Sequence, residues 1–262
     1  KTGYAEDMEV SHAYPVLSFR KPDGTDQSFL PRSHGIPRVD DRRVVSGVLY
    51  IIKHELQWKD APAEYGPYKA LYNRFVRWSR LCVFSRLFTE LANQTPFDGP
   101  LMIDSTHLKT HRTAASLAKE GSARLIGRTK GGLNSKLHAV CDGHGRPVLL
   151  LLTEGQASDY KGAAILQHLL PEDSIFLADG GYYAAWLRES LKTREMMVRI
   201  PPRKTRNATF PFDKTLYKHR HLIENTFSRL KDWRRIATRY DRCAHIFFSA
   251  ICLAVCVIFH LH

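Results

Sequence analysis

Residues 101–104 read Leu-Met-Ile-Asp, three apolar residues that lead into a carboxylate. A short, continuous apolar run of this kind predicts a buried β-strand. A second run, Ile175-Phe176-Leu177-Ala178-Asp179, has the same form and also ends in a carboxylate. We therefore expect two strands of one sheet to carry Asp104 and Asp179 at their ends.

The segments around these runs complete the pattern of an α/β fold. Further strands are predicted at residues 133–142, 147–153 and 197–200, and helices at 158–170, 184–192 and 217–231. The tetrapeptide Asp142-Gly143-His144-Gly145 predicts a hairpin turn, and Ser158 is a candidate N-cap. The order strand, hairpin, helix, strand, helix, strand, helix predicts a ribonuclease H-like mixed sheet flanked by helices.

A third carboxylate, Glu224, lies in the basic helical segment 217–231. Two carboxylates on strands and one on a later helix can converge on a pair of hard divalent cations. Oxygen ligands on rigid elements suit Mg²⁺, and two such ions can clamp the attacking and leaving oxygens of a phosphoryl displacement. Asp104, Asp179 and Glu224 are therefore the candidate catalytic and metal-binding residues. We expect two Mg²⁺ ions, with Mn²⁺ as a substitute.

The same helical segment carries an ordered signature, Tyr217, Arg220, Glu224 and Lys231. This spacing resembles that of the DDE transposases of bacterial insertion sequences, the superfamily of insertion sequences four and five. Three other segments also resemble family sequences, namely residues 37–43, 103–107 and 126–132. The resemblance implies an endonuclease and polynucleotidyl transferase that cuts the ends of an insertion sequence and joins them to target DNA.

The resemblance also implies the partners and the roles of the remaining signature residues. The partners are double-stranded DNA, as terminal inverted repeats and target, and a second copy of the chain in a synaptic complex. On a helix, Tyr217, Arg220, Glu224 and Lys231 fall within a stripe of about 60°. That face can offer a metal ligand beside an Arg fork and a Lys for phosphates, with the Tyr at its edge.

The charge of the chain favours a polyanionic partner. Its 39 Lys and Arg residues against 26 Asp and Glu give a net charge of +13, which promotes DNA binding through counterion release. The charge is localised, because residues 199–242 hold 13 Lys and Arg against 4 Asp and Glu, and residues 107–138 hold 7 against 1. We expect Arg128, Lys130 and Lys136 to follow a DNA backbone.

The sequence divides into three predicted parts. Residues 1–36 form a loosely structured segment, residues 37–97 a helical domain, and residues 98–262 a catalytic domain with a basic insertion at 107–132. In the helical domain, Arg74 and Arg77 lie on a basic helix that DNA could contact, as in helix-turn-helix modules. A solvated face on a packing domain is the alternative.

Several classes of protein are disfavoured. Residues 246–259 are apolar but too short to span a bilayer, so we expect a core helix and no membrane partner. The segment Gly127-x-x-x-Gly131-Gly132 lacks the Gly-Lys-Ser/Thr ending of a phosphate-binding loop, so no nucleotide cofactor is expected. The five cysteines form no Cys-x-x-Cys pair, which indicates reduced thiols in a cytosolic protein. The resemblance implies a cytoplasmic, nucleoid-associated bacterial protein.

The chain departs from the family that it resembles after the second Asp. There the family usually carries Arg or Lys and two further carboxylates, whereas this sequence has Gly180, Tyr183 and Ala185. We expect Asp179 alone to supply the ligand, so that the departures weaken DNA binding without stopping the chemistry. Two alternatives stay open: a ribonuclease H-like nuclease that cleaves without joining, and a non-catalytic DNA-binding derivative of a transposase.

Overall fold

A mixed β-sheet forms the centre of the molecule in the computed structural model, which describes residues 29–31, 40–94, 99–116, 124–201 and 214–261. Within these residues, seven strands belong to one sheet. They are β1 (Leu101–Thr110), β2 (Gly127–Thr129), β3 (Gly132–Cys141), β4 (Pro147–Glu154), β5 (Ile175–Leu177), β6 (Met197–Arg199) and β7 (Thr238–Arg239).

The order and direction of the strands confirm the predicted fold. β1 is central, antiparallel to β3 and parallel to β5, while β6 extends the parallel part and β4 pairs antiparallel with β3. The β3–β4 turn is the predicted hairpin, in which Asp142 Oδ1 accepts from the N–H groups of His144 and Arg146. Gly145 adopts a φ of +79°, which glycine tolerates without strain. Three antiparallel strands followed by two parallel ones form a ribonuclease H-like sheet.

Helices pack around this sheet. In the described part of the chain they are α1 (Asp41–His54), α2 (Tyr68–Arg80), α3 (Val83–Gln94), α4 (Arg112–Ala115), α5 (Asp159–Leu166), α6 (Ala185–Lys192), α7 (Lys214–Lys218), α8 (His221–Lys231), α9 (Arg234–Ala237) and α10 (Ala244–Val255). Ser158 caps α5 as predicted, because its side chain accepts from the N–H of Lys161. A 3₁₀ turn, Gln167–Leu169, completes the predicted helix 158–170.

The predicted end of the first strand is wrong. β1 does not stop at Asp104 but continues to Thr110, and its pairing with β3 extends to Lys109 opposite Asn134. An apolar run marks only the part of a strand that is buried on both faces, whereas the second half of β1 is partly exposed. The first residues of the predicted basic insertion at 107–132 belong to β1; residues 117–123 lie outside the described residues, and the insertion stays a prediction.

The prediction of one continuous helix over residues 217–231 is also wrong. α7 ends at Lys218 and α8 begins at His221, with a turn at His219 and Arg220 between them. There the backbone tightens into i to i−3 hydrogen bonds, such as Arg220 N–H to the Tyr217 carbonyl at 3.0 Å. Arg220 keeps right-handed helical angles, φ −56° and ψ −25°, so the chain continues in the same sense across the break.

The two faces of the sheet are covered by different groups of helices. Leu101 and Ile103 of β1 pack in a cluster with α5 and α6, whereas Met102 and Leu108 face a larger cluster with α1, α2, α3, α8 and α10. The predicted core helix 246–259 corresponds to α10 and the π-helical turn that follows it. The five cysteines are free thiols, as predicted.

The N-terminal helices share their core with the sheet. Side chains of α1 to α3 belong to the same hydrophobic cluster as Met102, Leu137 and residues of α10. The predicted boundary near residue 97 and the DNA-binding role of residues 37–97 stay predictions, and most of the predicted segment 1–36 lies outside the described residues. Across the described residues, no helix is long and apolar enough to cross a membrane.

Candidate active site

The register of the sheet brings two of the three candidate carboxylates to the same edge. β1 and β5 run parallel with Met102 paired to Leu177, and Asp104 and Asp179 each lie two residues beyond this pair. Asp104 is thus in the interior of β1, while Asp179 follows β5 and begins the 3₁₀ turn Gly180–Tyr182. The shared register places the two residues at the same level of the sheet, and the two carboxylates are close enough for the charge of Asp179 to raise the pKa of Asp104.

The backbone beside each Asp fixes its carboxylate. Asp104 Oδ1 accepts from the N–H of Ser105 at 2.7 Å, and Asp179 Oδ1 accepts from the N–H of Gly181 at 2.9 Å. A Cβ atom at Gly181 would lie 2.8 Å from Asp179 Oδ1, so glycine allows this close approach. Each carboxylate is therefore oriented in part by the backbone next to it.

The guanidinium of Arg220 connects the third carboxylate to the first. Arg220 Nη1 donates to Asp104 Oδ2 at 2.8 Å, and Nη2 donates to Glu224 one turn further along. The Arg220 and Asp104 side chains are 19% and 20% exposed, whereas that of Glu224 is 54% exposed. Burial opposes the charge of Arg220, but Asp104 and Glu224 raise the pKa of Arg220 above its usual value.

The positive charge of Arg220 only partly offsets the cost of burying the Asp104 carboxylate. Burial raises the pKa of Asp104, and the neighbouring charge of Asp179 adds to the rise, against the opposing effects of the Ser105 N–H and Arg220. A half-buried carboxylate whose pKa stays raised beside an arginine favours additional positive charge. Asp104, Asp179 and Glu224 supply the oxygen donors that a divalent cation prefers.

The other signature residues also face β1. Lys231 Nζ donates to Thr106 Oγ1 at 2.6 Å, and burial lowers the pKa of Lys231. The ring of Tyr217 lies 5.9 Å from the guanidinium carbon of Arg220. Thr106 and Asp104 are two residues apart and therefore point to the same face of β1. The signature residues thus lie along one face of this strand despite the break between α7 and α8.

Among the described residues, the side chains as they stand form no complete metal-binding cluster. In the part of the chain that the structure describes, no group of three or more His, Cys, Asp or Glu side chains is arranged to hold a metal. The guanidinium of Arg220 contacts Asp104 and Glu224 together. The donor set fits a divalent cation by its chemistry, whereas the position between these two carboxylates is taken by a cation of the protein itself.

The predicted DNA contacts are placed differently from one another. Arg128 on β2 and Lys130 in the turn after it are exposed, as is Arg77 on α2. Arg74 is partly buried and pairs with Asp41 of α1. These four residues keep their proposed role, because each retains some solvent-accessible surface.

Lys136 requires a correction. Its side chain is buried, and Nζ donates to the Ala157 carbonyl at 2.6 Å and to Asp159 Oδ1 at 3.1 Å. A buried ammonium with these partners does not follow a DNA backbone. The sequence pattern missed this because β3 is covered on both faces, which its alternation of polar and apolar residues does not indicate.

Sequence reasoning also missed a polar cluster on the opposite face of β1. Ser105 Oγ donates to Asp159 Oδ1 at 2.6 Å, the same oxygen that pairs with Lys136. The alternation along β1 places Ser105 away from Asp104, but no local pattern indicates its partner, which lies 54 residues further along the chain. Long-range contacts of this kind come from the packing of α5 on the sheet.

The chain is similar in sequence to known transposases. Residues 95–259 match the family model described as "Transposase DDE domain", and residues 27–88 match "Putative transposase of IS4/5 family". The "Putative transposase for insertion sequence element IS6501" of Brucella ovis is 34% identical over 127 residues, covering 48% of this chain and 98% of that protein. The corresponding protein for element IS402 of Burkholderia cepacia is 28% identical over 178 residues, covering 56% and 82%.

Solved structures are more distant. The crystal structure of the Mos1 Strand Transfer Complex matches 79% of this chain and 80% of that chain at 13% identity, with a TM-score of 0.29.

Proposed function

The chain belongs to the transposase DDE domain family, and on that premise we propose that Asp104, Asp179 and Glu224 hold two divalent metal ions for cutting and joining DNA. Membership in the family makes the chain a DNA transposase. The proposal adds which residues carry the reaction, that two ions take part, and which surface meets the DNA. Mg²⁺ is the proposed ion, and Mn²⁺ would substitute for it.

The β1–β5 register, together with the two contacts of Arg220, is the observation that supports this proposal most strongly. The β1–β5 register brings Asp104 and Asp179 to one edge, and Arg220 links Asp104 to Glu224. Asp104 is linked to Glu224 through Arg220 and interacts electrostatically with Asp179, so it is the proposed ligand shared by both ions. When bound, the ions would supply charge stabilisation for the attacking and leaving oxygens at phosphorus.

The chain's own residues would bind and orient the DNA. Arg220 and Lys231 flank Glu224 and donate to phosphate oxygens, and Tyr217 lies at the edge of the same site. In cleavage, water forms a bond to phosphorus as the bond to the 3′ oxygen breaks, which leaves a 3′ hydroxyl. In joining, that hydroxyl attacks a target phosphodiester and displaces the 3′ oxygen of the target strand.

Four further cations, three of them exposed and one partly buried, extend the proposed DNA surface beyond the site. Arg128 and Lys130 lie at β2 and its turn, and Arg74 and Arg77 lie on α2. The net charge of +13 supports a polyanionic partner. The proposed assembly is a homodimer that holds two terminal inverted repeats together with target DNA.

A coupled cleavage and joining assay tests the function. The full chain is incubated with a duplex that carries one end of its own insertion sequence and with a supercoiled target plasmid, in Mg²⁺, Mn²⁺ or EDTA. We expect cut ends and joined products in both metals and neither in EDTA. Cleavage without joining would favour the nuclease alternative, and DNA binding without cleavage would favour the non-catalytic one. Asp104→Asn is expected to abolish both products.

A further inference from the structure

One cation of the protein lies where the proposed function needs a metal. Arg220 Nη1 contacts Asp104 at 2.8 Å and Nη2 contacts Glu224. These are two of the three proposed ligands, and one planar guanidinium satisfies both through its two prongs. Arg220 thereby joins the centre of β1 to the first turn of α8.

From this contact we propose that Arg220 and a divalent cation compete for Asp104 and Glu224, so that the metal binds well only after DNA has drawn Arg220 away. The inference rests on the proposed function, because it takes these carboxylates as the metal ligands. It adds that metal binding depends on DNA: the metal binds well once a DNA phosphate has taken over Arg220, and the DNA-free protein binds metal weakly.

Charge and geometry explain why the two states exclude each other. Three carboxylates carry more negative charge than one guanidinium neutralises. A guanidinium and divalent ions at the same oxygens, however, repel one another strongly in a partly buried site. A phosphate offers Arg220 a replacement partner, since its oxygens accept two parallel hydrogen bonds as a carboxylate does. The Arg220 side chain is 19% exposed, so a backbone lying along α8 can reach it.

Manganese binding to the DNA-free protein tests the competition. Free Mn²⁺ is measured by electron paramagnetic resonance in titrations of wild type, Arg220→Gln and Arg220→Lys, each checked for folding by circular dichroism. Arg220→Gln removes the competing cation. If Arg220 is away from Asp104 and Glu224 in a tenth or less of the wild-type molecules, Arg220→Gln should bind Mn²⁺ at least about tenfold more tightly than wild type.

Arg220→Lys separates competition from simple charge repulsion. Lysine keeps the charge but is a point cation that cannot contact both carboxylates as the fork does. We expect Arg220→Lys to bind Mn²⁺ more tightly than wild type, though less tightly than Arg220→Gln. Unchanged affinity in both variants, or a gain in Arg220→Gln with wild-type affinity in Arg220→Lys, would overturn the proposal.

Two controls keep this test independent of the proposed function. Arg234 is exposed at the start of α9, and Arg234→Gln makes the same charge change as Arg220→Gln. The Mn²⁺ affinity of Arg234→Gln should stay within about twofold of wild type because solvent screens distant charges. Asp104→Asn should lose Mn²⁺ binding altogether. If Asp104→Asn binds Mn²⁺ like wild type, the metal assignment itself fails; if it loses binding while the Arg220 variants gain nothing, only the competition fails.

The same coupling should appear from the DNA side. Linkage requires that DNA and metal strengthen each other by equal factors. Duplex affinity is measured by fluorescence anisotropy in EDTA and in Mn²⁺ at matched ionic strength. We expect the gain from Mn²⁺ to be several-fold larger in wild type than in Arg220→Gln, because only wild type must release Arg220. An equal gain in both proteins would contradict the inference.

Discussion

At the scale of single residues, His138 shows how the packing against β3 alters a titrating group. His138 is fully buried, and its Nε2 lies 3.0 Å from Thr153 Oγ1. A Cβ atom at Gly162 of α5 would lie 2.2 Å from Nδ1, so the helix covers the ring closely. Burial lowers the pKa of His138 to about 4. The folded protein therefore keeps this imidazole neutral.

This pKa predicts a loss of stability in weak acid. An unfolded histidine titrates near 6.5, so between pH 6.5 and 4 the unfolded chain binds a proton that the folded chain excludes. Stability is present above pH 6.5 and is lost as the pH falls through this window. Between pH 6.5 and 5, His138 should account for about 1.5 kcal/mol of lost unfolding free energy.

The measurement is urea unfolding of wild type and His138→Gln at both pH values. Glutamine can still bond to Thr153 but does not titrate, so the variant should lose less stability between pH 6.5 and 5 than wild type does. The comparison between proteins removes the contribution of the other histidines. Equal losses of unfolding free energy in both proteins would show that protonation of His138 does not destabilise the folded state.

At the scale of elements, the turn after β5 decides how the departures from the family matter. Asp179 is held by the N–H of Gly181, independently of the residues that differ. Of these, Gly180 lies in the same turn, Tyr183 has its ring 5.0 Å from the Arg188 guanidinium, and Ala185 is exposed at the start of α6. The orientation of Asp179 therefore does not depend on a carboxylate at position 183 or 185.

The triple variant Gly180→Arg, Tyr183→Asp, Ala185→Asp tests this independence. We expect measurable Mg²⁺-dependent end cleavage by the chain as written. The variant should change the rate by less than about a hundredfold, or ~2.7 kcal/mol, mainly through DNA binding. Rates are compared at a subsaturating DNA concentration, where DNA binding contributes to the rate, and at saturating DNA, where only the chemical step does. Undetectable cleavage by the natural sequence together with full activity in the variant would mean that the lost carboxylates are needed for the chemistry.

The elements that could be predicted from the sequence are those with a strong local pattern. The apolar runs of β1 and β5, the Asp142 hairpin and the Ser158 cap are all set by residues that are neighbours in the chain. The second half of β1 could not be predicted because it gains its order by pairing with β3. The break before α8 was missed because Arg220 keeps helical angles there, so no glycine or proline marks it.

At the scale of the whole molecule, one hydrophobic cluster joins the N-terminal helices to the sheet. Met102 and Leu108 of β1 belong to the same cluster as side chains of α1, α2 and α3. The family, the fold class and the transposase function predicted from the sequence are confirmed. The shared core could not be predicted, because periodicity shows which face of a helix is apolar but not what it packs against.

The candidate site follows partly from local sequence spacing and partly from long-range contacts in the structure. The spacing of Tyr217, Arg220, Glu224 and Lys231 identified its residues, while the pairing of Arg220 with Asp104 bridges 116 positions of the chain and needed the structure. The metal-binding roles of Asp104, Asp179 and Glu224 stay predictions. They make one claim about the whole molecule: three distant segments converge to perform phosphoryl transfer.

The single-turnover rate of end cleavage by Glu224→Gln in Mg²⁺ tests that claim most directly. Glutamine is nearly isosteric but lacks the anionic oxygen that a metal ligand supplies. Glu189→Gln, the same change at an exposed position of α6, is the matched control, and DNA binding in EDTA checks folding. We predict that Glu224→Gln binds DNA but cleaves at least about a thousandfold more slowly, or ~4 kcal/mol, while Glu189→Gln cleaves like wild type. Cleavage by Glu224→Gln at a near wild-type rate would contradict the assignment of the active site.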